Sequence, residues 1–194
     1  MSLLVNHQNK WAFIHVPKTG GKSLVKSLGP YFKRVHGRHS NALEVYQDSS
    51  FTNLPFIMAV RNPWERAASL YRYTKSIGIH KMDWDKWLYS PRINGKYIHF
   101  SDVEGSNRNP LTLASYALDL EGNELIDTYL EFSRLGEEVK MLSSKYSIPV
   151  KMKRFKHPTD GKGKNYTSFY TEEQRDYIAE VCKWEIEKFN YTFE

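Results

Sequence analysis

Cysteine is almost missing: Cys182 is the only one in the chain. No disulfide can close within the chain, so a small disulfide-stapled scaffold is excluded. Long apolar runs are missing too. Nothing approaches the roughly 18 consecutive apolar residues of a membrane-spanning helix, and Ser2-Leu3-Leu4-Val5 is far too short for the core of a signal peptide. These two absences predict a cytoplasmic protein with no membrane span. Metal-ligand spacing is also lacking. His7, His80, His99 and His157 are scattered, and with Cys182 they form no zinc-like pattern. The sequence contains neither an internal repeat nor a low-complexity segment, so a repeat array is not expected.

What is present is an ordinary globular composition: 194 residues, 40% hydrophobic and 26% charged. That length suits one domain spanning residues 1–194, with a sizeable core. Lys and Arg number 28 against 22 Asp and Glu, giving a net charge of +6. Such a balance favours acidic ligands. No basic run is long or regular enough to predict nucleic-acid binding.

The stretch Phe13-Ile14-His15-Val16-Pro17-Lys18-Thr19-Gly20-Gly21-Lys22-Ser23-Leu24 organises the chain. Trp11 to Val16 reads as a buried strand, closed by a proline. Gly20 and Gly21 allow the backbone to approach a ligand closely. A helical pattern opens at Ser23-Leu24 and continues through Val25 and Leu28. The first amides of a helix lack intrahelical acceptors and lie at the positive end of its dipole. With Lys18, Thr19, Lys22 and Ser23 around them, they suit a phosphate or sulfate. The plain alternative is an ordinary strand-to-helix turn.

Gly21-Lys22-Ser23 is most of a Walker A ending, but the glycine it needs five residues earlier is Val16. A nucleotide-hydrolysing P-loop also uses a later strand ending in Asp to hold magnesium. Here the strand Phe56-Ile57-Met58-Ala59-Val60 ends in Arg61. A cation in that place points to a second phosphate group rather than to a metal.

Pro17-Lys18-Thr19-Gly20-Gly21-Lys22-Ser23, taken with Val60-Arg61-Asn62-Pro63-Trp64-Glu65-Arg66-Ala67-Ala68-Ser69, resembles the sulfotransferases that use 3'-phosphoadenosine 5'-phosphosulfate (PAPS). The closest likeness is to the Golgi carbohydrate enzymes and their bacterial relatives. The first motif is similar to that family's 5'-phosphosulfate loop. The second is similar to its 3'-phosphate motif, an Arg at a strand end with a helical Ser eight residues on. Lys22 stands where the family commonly has Thr, while Ser23 keeps a hydroxyl.

The resemblance implies a PAPS cofactor, 3'-phosphoadenosine 5'-phosphate (PAP) as product, no metal, and a hydroxyl acceptor, either a glycan or a small molecule. It places Lys18 at the reacting group and, as base, His39 or its neighbour His36 in His36-Gly37-Arg38-His39. Glu44 is the reserve base. The implied nucleotide contacts are Pro17, Lys18, Thr19, Gly20, Gly21, Lys22, Ser23, Arg61 and Ser69. Lys162, Lys164 and Tyr166 would lie in a covering loop. Without the resemblance, both histidines read as surface residues of a polar loop, and the lysine-rich segment as a solvated one. A P-loop nucleotide kinase and a non-catalytic nucleotide- or glycan-binding module remain as alternatives.

Farther along, Pro63 suits the first turn of a helix running to Ser76, with Gly78 as its stop. Arg72 reads as a solvated residue. Residues 79–110 form a variable acceptor-side segment. Within it Trp84 and Trp87, with Arg92 and Tyr97, serve either packing or an aromatic acceptor platform. Helices are expected over 111–118 and 135–146, and a strand over 124–130. Glu131-Phe132-Ser133 lacks the charges of the corresponding family segment and receives no catalytic role. Thr171 and Gln174 form a capping box ahead of a buried stripe of Ile178, Val181, Cys182, Ile186 and Phe189, where Cys182 packs in the core. The alternation of strands and helices predicts an α/β, three-layer, P-loop-like fold with a central, mostly parallel sheet flanked by helices. Its ligand would lie at the carboxyl ends of the strands.

Overall fold

Apolar, β-prone segments set the centre of the sheet. In the computed structural model, which describes residues 2–6, 11–28, 33–38, 41–47, 51, 53–90, 109–147 and 165–194, Trp11–Ile14 and Phe56–Val60 are strands β2 and β4, buried at every position. Such double-sided burial is what parallel strands require. β2 pairs in parallel with β4, placing Phe13 against Ile57, and β4 pairs in parallel with β5 (Thr128–Glu131). The start of β5 is pinned by Asp127: its carboxylate accepts the Phe56 amide at 2.7 Å, and its own amide donates to the Phe56 carbonyl at 2.9 Å.

The other side of the sheet departs from the expected parallel pattern. β1 (Ser2–Asn6) and β3 (Lys33–Arg38) extend it in the order β3-β1-β2-β4-β5, and β1 runs antiparallel to both neighbours. Only four residues separate Asn6 from Trp11. That is enough for an antiparallel hairpin and far too few for a parallel crossover. The architecture is therefore α/β, with a small parallel trio of strands flanked by helices.

The chain divides into two compact units. The first holds the described residues up to Arg61 and from Tyr116 to 147. Helices α1 (Gly21–Leu28) and α6 (Leu135–Lys145) pack here on one face of the sheet. Leu24, Val25 and Leu28 of α1 and Leu135, Val139 and Leu142 of α6 join Trp11, Phe13, Ile57, Ala59 and Leu130 in one core. Burying each of these large side chains contributes roughly 1.5–3 kcal/mol. The short helix α2 (Ala42–Tyr46) is capped by Asn41, whose side-chain oxygen accepts the Glu44 amide at 2.9 Å.

The second unit holds the described residues from Asn62 to 90, from 109 to Ser115, and from 165 onward. Its first helix, α3 (Pro63–Ser76), has Pro63 in the first turn as expected, and the structure adds Asn62 as its cap. It stops at Gly78, whose φ of 74° suits a residue without a Cβ. The short helices α4 (Trp84–Leu88) and α5 (Ala114–Ala117) follow. α7 (Glu172–Val181) carries the expected Thr171–Gln174 capping box, and α8 (Lys183–Phe189) follows directly.

Some expected elements come out shorter. The helix over 111–118 is reduced to Ala114–Ala117. The strand over 124–130 is reduced to Thr128–Glu131, because Glu124 instead forms an antiparallel bridge with Leu118. The predicted buried stripe is partly corrected: Ile178 and Cys182 are buried, while Val181, Ile186 and Phe189 are half-buried and Glu185 takes a buried place.

Candidate functional site

Because β2 and β4 are parallel, the turn after β2 and Arg61 after β4 stand at the same, carboxyl, edge of the sheet. Glu131, the last residue of β5, and the 3-10 turn Phe132–Arg134 after it stand at that edge. The turn after β2 is built by side chains and glycines in distinct roles. Thr19 is buried, and its hydroxyl donates to the Val16 carbonyl at 3.0 Å. This bond holds the turn against its own strand. Lys18 takes a left-handed conformation, φ 67°, and Gly20 follows at φ 83°. A lysine in that region of backbone space is uncommon and needs outside support.

Gly20 and Gly21 are required by close approach. A Cβ on Gly20 would lie 2.6 Å from Leu135 and 3.0 Å from the Phe132 ring. On Gly21 it would lie 1.8 Å from the ring of His15. His15 is 4% exposed and stacks beside Phe13, with ring centroids 6.2 Å apart. It is a packing residue directly after β2.

Helix α1 begins on the heels of this turn. The amides of Ser23 and Leu24 turn back to the Gly20 carbonyl at 2.9 and 3.2 Å. The first turn contains no acidic residue, and half-buried Lys22 and Ser23 stand in it. The positive end of the helix dipole is thus left without an internal counter-charge from its own first turn.

Arg61 is joined to the turn directly. Its Nη1 donates to the Lys18 carbonyl at 2.9 Å, and its guanidinium carbon lies 4.1 Å from the centre of the Phe132 ring. The sequence brings out Arg61 as an anion ligand. It does not reveal that the same side chain fastens the turn, nor that Phe132 lies beneath it. The signal for Phe132 in the sequence is its position at the end of a third strand.

Pro17 is buried in the turn. Ser69 lies on α3, in the second unit. Tyr166, also in that unit, accepts the Glu194 amide on its hydroxyl at 3.1 Å and meets Phe193 edge to face, and burial raises its pKa. His36 falls within β3 rather than in a loop. His39, Lys162, Lys164, Arg92 and Tyr97 lie outside the described residues. Glu44 is half-buried and takes a 3.3 Å hydrogen bond from the amide of its own helix cap, Asn41.

One arginine overturns its sequence reading, and a second is buried with no signal in the sequence. Arg72, expected in solvent, is half-buried, with its guanidinium carbon 4.1 Å over the Phe169 ring. Arg66 is 1% exposed and donates to the carbonyls of Pro110 and Leu111 at 3.1 and 2.5 Å. Both cations are retained inside by specific acceptors or a ring face, which residue type alone does not reveal. Trp87, at 1% exposure, stacks on Trp84 with centroids 5.5 Å apart, and both meet the edge of Tyr71. These rings pack the second unit. Cys182 is buried, donates to the Leu111 carbonyl, and has its pKa pushed up by burial. A thiol so placed is a core group, not a nucleophile.

Among the described residues no helix is long and apolar enough to cross a membrane, and no group of three or more His, Cys, Asp or Glu is placed to hold a metal ion. No protein-family model, curated protein or solved structure matches this chain.

Proposed function

We propose that the chain is a PAPS-dependent sulfotransferase that moves a sulfuryl group to a hydroxyl acceptor, a carbohydrate first among them, on a P-loop-like three-layer scaffold. The observation that supports this reading most is the join between the two motifs. The Lys18–Lys22 turn and Arg61 end adjacent parallel strands and are hydrogen-bonded to each other. A site for a ligand with two separate phosphate-like groups needs two cationic places at one sheet edge.

In this reading the turn amides and Ser23 hold the 5'-phosphosulfate and Arg61 takes the 3'-phosphate. A guanidinium carries five donors, and one of them serves the Lys18 carbonyl. The attacking acceptor oxygen and the leaving phosphate oxygen lie in line on sulfur. As the S–O bond to the nucleotide breaks, negative charge gathers on the leaving oxygen, as in phosphoryl transfer. The Lys18 ammonium and the amides stabilise that charge. His39 takes the proton of the acceptor hydroxyl, with His36 and then Glu44 as successors. The reading calls for no metal ion, and Lys162, Lys164 and Tyr166 are its covering residues.

Calorimetry tests it. PAP should bind more tightly than ADP, because only PAP offers a 3'-phosphate. Arg61→Ala should abolish the preference, at about 1.5–3 kcal/mol for a charged hydrogen bond. Equal affinity for PAP and ADP in the parent protein would refute the reading. Turnover of ATP with strict magnesium dependence would move the chain to the kinases.

A further inference from the structure

We propose that Phe132 and Arg61 are positioning residues that form a brace holding Lys18 in its left-handed conformation. The inference deepens the reading above and concerns the same turn. Three contacts carry it. The Arg61 guanidinium lies 4.1 Å over the Phe132 ring. The Phe132 ring is close enough to the Gly20 backbone that a Cβ there would sit 3.0 Å away. Arg61 Nη1 donates to the Lys18 carbonyl at 2.9 Å. Ring, guanidinium and carbonyl thus form a chain from the end of β5, across β4, to the turn after β2.

The turn needs such support. Lys18 has φ 67°, a conformation unfavourable for a side-chain-bearing residue, and φ determines the direction in which its side chain leaves the backbone. Thr19 fixes the next residue from below through Val16, but that bond does not touch the Lys18 carbonyl. The carbonyl's orientation is set by the Arg61 bond. The Arg61 side chain, long and rotamer-rich, is in turn set by the ring face under it. Glu131 and Ser133, on either side of Phe132, share a local hydrogen bond at 3.5 Å that closes the 3-10 turn carrying the ring. Phe132 is therefore a part of the turn's support, although it bears no group able to bind an anion.

The test reads amide hydrogen exchange by NMR in the full chain without ligand, so it does not depend on the nucleotide. Phe132→Leu keeps apolar bulk against Gly20 and Leu135 but removes the ring face. Arg61→Lys keeps the charge but removes the planar fork. Phe132→Tyr keeps the ring. The amides of residues 18–22 should exchange about tenfold faster in the first two variants, the scale of one lost, partly desolvated cation–π contact. The amides of β4 should be unchanged, and Phe132→Tyr should restore parent rates. Parent-like exchange of the turn in either Phe132→Leu or Arg61→Lys would overturn the brace, as would acceleration spread equally over β4.

A second measurement separates this inference from the function it rests on. In Phe132→Leu, PAP and ADP should both weaken, PAP somewhat more, since the ring supports the turn that both nucleotides use and also the Arg61 side chain that takes the 3'-phosphate. Loss of PAP affinity alone would overturn the positioning role. A parent chain that binds neither nucleotide refutes the sulfotransferase reading, and the brace is then decided by the exchange rates.

Discussion

At the scale of single residues, Lys18 combines an unusual backbone with the proposed role of stabilising charge. If its ammonium meets the leaving oxygen, Lys18→Ala should lower turnover about 100-fold or more, the cost of losing one preorganised transition-state donor. Nucleotide affinity should drop much less, because the turn amides and Ser23 remain. Saturating PAPS with an unchanged turnover number would exclude the role. His39 is tested by pH. A histidine at its ordinary pKa of about 6.5 is mostly neutral above neutrality. Turnover should therefore rise with pH and level off near neutrality. His39→Ala should flatten that profile at undiminished PAP affinity, and His36→Ala should be milder. A severe His36→Ala with a benign His39→Ala would transfer the base to His36.

At the scale of elements, legibility followed from how much of a segment's environment its own residues declare. Phe56–Val60 was readable to the residue because both faces are apolar. α3 was readable because Asn62-Pro63 and Gly78 mark its ends, and α7 because Thr171 and Gln174 cap it locally. β3 was not readable. Lys33-Arg34-Val35-His36-Gly37-Arg38 has no apolar alternation, and it is an edge strand of the sheet. The burial of α8's Glu185 was equally hidden, since only the fold supplies its partners. Its carboxylate accepts the Thr112 hydroxyl at 2.7 Å and the Leu113 amide at 2.8 Å. Burial raises its pKa above the ordinary 4.5, against the pull of the Leu113 amide, Arg66 and Thr112. The folded form therefore keeps this proton to higher pH than the unfolded form. Its stabilising contribution is fullest below 4.5 and is lost as pH rises through the folded value. Glu185→Gln cannot titrate. Urea unfolding across that window should show the parent losing stability relative to the variant as pH rises. A difference between the two that does not change with pH would mean that Glu185 has the same pKa folded and unfolded, and that burial does not raise it.

At the scale of the whole molecule, the two anion motifs were legible as motifs, and their order along the chain implied one sheet edge. The hydrogen bond that unites them was not, because it depends on the register of β2 against β4 and on the backbone of Lys18. The chain's net charge of +6 bears on how the proposed preference for PAP would arise, through Arg61 or through the diffuse field of the protein. The two differ in their response to salt. A diffuse field is screened over about 10 Å at 0.1 M ionic strength and about 3 Å at 1 M, while a hydrogen-bonded, partly buried pair is screened far less. Affinities for both PAP and ADP should fall as salt rises, because the long-range attraction serves both. The ratio between them should persist, because Arg61 is half-buried at the strand end and acts at contact. Calorimetry of both nucleotides over a salt series measures this ratio. A preference for PAP that disappears at high salt would assign the selection to overall charge, and the specific 3'-phosphate role of Arg61 would fall with it.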